Sequence, residues 1–203
     1  MKNIVIVLFI FTTTQLFATL LDELSQSSSK VPFVSMEIAQ EKTISFFDEV
    51  VKSKLLIAVT SDGKMRMQTV SPFEAVTIFD GSDIARFEKR SGQWLKLDTP
   101  SSFIARKIFD EIRNLFSGDV SNVNYEISQI QERLILVPKN SMVRKAVAKI
   151  EIETCMKNSI REISKIKILD SDGDITVLNI VRIYRKKISN DVFDTSKLKQ
   201  WDF

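Results

Sequence analysis

Between residues 54 and 97 apolar and polar positions alternate in short runs, broken by Asp62-Gly63, Pro72, Asp80-Gly81 and Ser91-Gly92. Alternation with a period of two marks a strand with one dry face and one wet face. Asp-Gly between such runs marks a hairpin, because glycine accepts the positive φ that tight hairpin turns need. The spacing predicts consecutive antiparallel strands at 64–69, 75–79, 84–88 and 94–97. Upstream, Phe47, Val51, Leu55, Ile57 and Val59 share one parity, which predicts one or two long strands over 33–59.

The period then changes. Asp98-Thr99-Pro100 is a helix start, with threonine able to cap and proline tolerated at the first helical position. Over 100–116, Ile104, Ile108, Ile112 and Leu115 fall on one helical stripe, with Phe103 and Phe116 beside it, and Gly118 ends the run. Strands follow at 124–130, 132–138 and 148–155, with a helical turn at 141–147 and a last hairpin at 160–169 and 175–185. A short helix is expected at 20–24, a serine-rich polar linker at 25–30 and an irregular polar tail at 189–203.

Nine or more antiparallel strands with one strong helix predict a mainly β, α+β chain. The expected form is one curved open sheet whose concave face is covered by the helical stripe. No domain boundary interrupts it, so residues 19–203 are expected to form a single domain.

Met1-Lys2-Asn3, the apolar run 4–11 and the polar exit ending on Ala18 read as a cleaved secretory signal peptide over residues 1–18. The run falls short of the roughly 20 apolar residues of a membrane-spanning helix. Export to the periplasm follows as an expectation. The chain has 203 residues, 29 basic and 26 acidic, a formal net charge of +3, and one cysteine, Cys155. Nothing in that balance asks for nucleic acid, and one cysteine forms no intramolecular disulfide. With no histidine, Ser-His and Cys-His nucleophiles and histidine metal sites are excluded.

The remaining polar motifs are weak as chemistry. Asp170-Ser171-Asp172-Gly173-Asp174 has the alternate carboxylates and central glycine that begin a calcium loop, but the twelfth position is Val181. A solvated hairpin turn is the expectation there, and no metal or cofactor is expected. Arg182, Arg185, Lys186 and Lys187 suit an anionic surface or a protected strand edge. Asp48-Glu49 and Asp110-Glu111 are sequence neighbours, which do not face each other on a strand or helix, so no acid/base pair is selected and no enzyme activity is expected. The apolar residues have two readings that one sequence does not separate: a filled core, or an adaptable surface in which methionines repack around flexible acyl chains.

Taken in order, these segments resemble the LolA-type periplasmic lipoprotein carriers. The likeness runs from the signal peptide and N-terminal helix through Lys54-Leu55-Leu56-Ile57, Met65-Arg66-Met67, and Pro72 to Phe79-Asp80-Gly81. It continues with 84–87, the helix after Pro100, Leu134-Ile135-Leu136-Val137-Pro138 and the final hairpin through Asp172-Gly173. Residues 72–87 carry the most specific part. Two departures are plain: the family's Arg-Pro falls near Val59-Thr60, and Ala85 replaces the aromatic residue usual after the second Asp-Gly.

The resemblance implies an unclosed antiparallel barrel, a half-barrel with helices over its concave face. Its apolar cavity would be lined by Leu55, Ile57, Val59, Met65, Met67, Val76, Ile78, Ile84, Phe87 and Trp94, under a lid carrying Phe103, Ile104, Ile108, Ile112 and Leu115. The implied role is a monomeric carrier of an acylated lipoprotein or other lipid cargo, taken from an inner-membrane exporter and passed to an outer-membrane acceptor. An RseB-type lipid-sensing module and a ligand-free structural envelope protein are the alternatives.

Overall fold

The computed structural model describes residues 20–28, 33–46, 49–98, 114, 124–186 and 188–198. Eleven strands form one antiparallel sheet: β1 (Phe33–Ile44), β2 (Glu49–Thr60), β3 (Met65–Ser71), β4 (Ala75–Phe79), β5 (Ile84–Arg90), β6 (Gln93–Leu97), β7 (Tyr125–Ile130), β8 (Arg133–Pro138), β9 (Val147–Lys157), β10 (Ile160–Asp170) and β11 (Ile175–Tyr184). The order is β6-β5-β4-β3-β2-β1-β11-β10-β9-β8-β7, so the first and last strands of the row do not meet. The sheet is unclosed, consistent with a half-barrel. Its centre is the pairing of β1 with β11, which joins the two runs of hairpins.

The turns fall where local chemistry puts them. Gly63, Gly81, Gly92 and Gly173 all adopt positive φ, the conformation in which a Cβ is costly. Asp80 closes its turn by accepting the backbone N–H groups of Ser82 and Asp83 at 2.9 and 2.8 Å, which holds its carboxyl below the usual carboxylate range.

The described helices are α1 (Leu20–Ser28) and α2 (Ser141–Arg144). α2 starts at Asn140, whose side chain accepts from the Met142 and Val143 backbone N–H groups. α1 runs through serines that the composition marks as a linker. Burial of Leu20 and Leu24 against the sheet extends the helix beyond its weak local propensity. The expected signal peptide and the lid segment 100–116, Asn114 apart, lie outside the described residues.

The tail departs from the irregular polar segment expected. Asn190–Phe193 form a single 3-10 turn with Ser189 at its cap, and Ile188 and Phe193 are buried against the sheet.

Candidate functional site

Residues directly opposite each other on antiparallel strands share a face of the sheet, so register decides the site. Leu55, Ile57 and Val59 lie opposite Thr69, Met67 and Met65, and Met65 and Met67 lie opposite Phe79 and Thr77. On β1 the same face carries Met36 and Ile38 opposite Ile57 and Leu55. Across the centre it continues through Ile180, Leu178, Ile166, Ile152 and Leu134. The apolar side chains among these form one cluster to which α1 adds Leu20 and Leu24. We call this the helix-bearing face.

The opposite face is divided. Over β2 to β6 it holds Ala58, Val76 and Ile78, with Phe33 and Trp94 packed beside them, covered by Ile188 and Phe193 of the tail. Over β8 to β10 it is charged: Arg133 meets Glu151 and Glu153, and Lys149 lies 2.7 Å from Glu151.

Of the ten strand residues expected to line one cavity, Leu55, Ile57, Val59 and Met65 are buried on the helix-bearing face. Met67 and Ile84 are half-buried against them. Val76, Ile78, Phe87 and Trp94 are corrected to the other face. The turn at Pro72 pairs Thr69 with Ala75 and Gln68 with Val76, which puts Val76 and Ile78 in step with Arg66 and Gln68 rather than with Met65 and Met67. Phe87 follows because it pairs with Val76. Phe103, Ile104, Ile108, Ile112 and Leu115 lie outside the described residues.

Sequence reasoning passed over the β7 to β11 half of the face. Its signal was present in the alternation Leu134/Leu136, Ile150/Ile152 and Ile166/Ile168, all of which join the cluster. It also passed over Arg66, which is only 1% exposed. The Arg66 guanidinium donates to the Val192 carbonyl and to Gln68 Oε1, both at 2.8 Å, and burial lowers its pKa to about 10.

The carboxylate turn holds a lysine of the chain itself. Lys42 Nζ lies 3.3 Å from Asp174 and 3.8 Å from Asp170, and the Ser45 backbone N–H donates to Asp174 at 3.0 Å. Among the described residues no group of three or more Cys, Asp or Glu is arranged to hold a metal ion. The arrangement is an apolar cluster buried along one face of the sheet. No described helix is long and apolar enough to cross a membrane.

A DUF1329 family protein from Desulfovibrio piger superposes with a TM-score of 0.53 at 12% identity, over 89% of this chain and 98% of that one. The likeness is one of fold. A LolA superfamily protein from Nitrosomonas europaea matches with a TM-score of 0.47 at 11% identity, over 88% of this chain and 97% of that one. The Mycobacterium tuberculosis lipoprotein LppX matches at 0.43 and 14% identity, over 84% and 97%. No family model and no curated protein matches the sequence.

Proposed function

We propose that the chain is an exported carrier that shields the acyl chains of a lipoprotein or another lipid on its helix-bearing face. The observation that supports this most directly is the single apolar cluster running from Met65 and Phe79 to Tyr125 and Leu134 along one face of an unclosed sheet. Each acyl methylene taken from water is worth about 0.8 kcal/mol, so a lipid packed against these side chains needs no covalent step to be held. Met36, Met65 and Met67 suit a cargo of irregular shape, since a thioether side chain repacks at low cost. In this reading cargo comes from an inner-membrane donor and leaves for an outer-membrane acceptor of higher affinity.

Native mass spectrometry and lipid extraction of protein purified from the periplasm test the reading. Co-purifying acyl chains are expected, and Met67→Glu is expected to remove them, because an unpaired carboxylate buried beside an alkyl chain is strongly disfavoured. Repeated lipid-free preparations of the wild type, together with no effect of Met67→Glu on lipid binding, would overturn it.

A further inference from the structure

We infer that Arg161 is the positioning residue that decides whether α1 lies docked on the helix-bearing face or leaves it. The described part of the helix has nine residues. Isolated helices shorter than about 12–15 residues are marginal in water, so α1 depends on its docking for its order. Polar contacts to the sheet pin its first turn. The Leu20 backbone N–H donates to Gln129 Oε1 of β7 at 3.3 Å, and Arg161 Nε of β10 donates to the Glu23 carboxylate at 2.7 Å.

Arg161 is placed to act as more than a surface partner. Its side chain is 10% exposed, while that of Glu23 is 38% exposed. Its second arm donates to the Glu132 carboxylate in the turn between β7 and β8, and to Thr154 Oγ1 on β9 at 3.2 Å. The guanidinium is therefore held by the sheet itself and presents Nε to the helix in a fixed direction. A planar guanidinium sustains this fork, and a lysine ammonium does not reproduce it. An exposed ion pair contributes little, but one whose cation is already fixed and desolvated spends less side-chain entropy on pairing.

What Arg161 holds down is apolar. Leu20 and Leu24 are buried at 5% and 2% exposure in the same cluster as Leu134, Ile152 and Ile163. Undocking α1 withdraws two leucines from that end of the face and uncovers the strands beneath. On the carrier reading proposed above, the Arg161–Glu23 pair then sets how readily this end of the face opens to an acyl chain.

Hydrogen exchange on the full chain tests this, comparing the wild type with Glu23→Gln, Arg161→Gln and Arg161→Lys. Glu23→Gln removes the charge from the helix arm alone and leaves the contacts of Arg161 to Glu132 and Thr154 in place. The expected result is at least tenfold faster exchange at the α1 amides in Glu23→Gln and Arg161→Gln, with the β1 and β2 amides unchanged. Only partial recovery is expected in Arg161→Lys. Equal α1 exchange in Glu23→Gln and wild type would overturn the inference. So would a uniform rise across all strands in Arg161→Gln, since that is the signature of a residue that only stabilises the sheet. A fluorescent fatty acid added to the wild type tests the carrier reading separately: no uptake sinks that reading, whereas the role of Arg161 stands or falls on α1 exchange.

Discussion

The Arg66 guanidinium donates to the Val192 carbonyl oxygen at 2.8 Å and so ties the chain's C-terminal turn to β3. On either side of Arg66 along that strand, Met65 and Met67 point to the opposite face and belong to the apolar cluster that also holds Leu20 and Leu24 of α1. One strand thus anchors the tail with one parity and builds the candidate cargo surface with the other.

Arg66→Met is expected to destabilise the protein by about 1–3 kcal/mol, the cost of leaving buried acceptors without their donor. Urea denaturation measures the loss, and hydrogen exchange should locate it in residues 188–198. Phe193→Ala, which empties the apolar side of the same contact, is expected to cost about 3 kcal/mol.

The two faces should separate in function. Ile57→Ala and Ile78→Ala each remove a side chain no more than 1% exposed and should each cost about 2–5 kcal/mol in denaturant unfolding. Only the first lies on the helix-bearing face. Fatty-acid binding by folded protein should weaken several-fold in Ile57→Ala and stay at the wild-type level in Ile78→Ala. Equal weakening in both would show that the faces do not divide the work.

The turn between β10 and β11 should titrate with opposite signs at its two ends. The Ser45 backbone N–H, with Lys42 beside it, holds the Asp174 carboxyl below the usual range. Its contribution to stability is present above the unfolded value of about 3.9 and is lost as pH falls through the lower folded value. Burial raises Asp170 instead, against the opposing pull of Lys42. That carboxylate costs stability when ionised, and the cost is relieved as pH falls through its raised folded value. Carbon-detected NMR titration should place the two inflections on either side of the model-peptide value, and Lys42→Met should move both upward.

Gly81 sits at a φ of +102° with open space around the position a Cβ would take. Gly81→Ala should therefore cost about 1–2 kcal/mol through backbone strain alone, read as a lower melting temperature with no change in lipid binding.

Much of the strand inventory was legible because its causes are local. Asp62-Gly63, Asp80-Gly81 and Asp172-Gly173 mark turns that need a positive φ, and the alternating runs between them become β3, β4, β5, β10 and β11. The tail was misread for the converse reason. Ile188 and Phe193 show no period in their own segment, and their burial depends on Ala58, Val76 and Ile78, more than a hundred residues away. The arginines were equally hidden: Arg66 and Arg161 look like wet-face residues until the tail and α1 cover them.

By itself the sequence determined where strands begin, turn and end, together with the absence of histidine chemistry, because turn geometry and side-chain alternation act within a few residues. Tertiary structure alone decided which face each alternation meets. Period two says that Val76 and Ile78 share a side. It does not say which side, because a one-residue change of register across the Pro72 turn reverses every side chain that follows. That register put Met65 with Ile57 on the helix-bearing face and put Val76 with Ala58 beneath the tail, dividing one run of apolar residues into a candidate cargo-binding cluster and a second core.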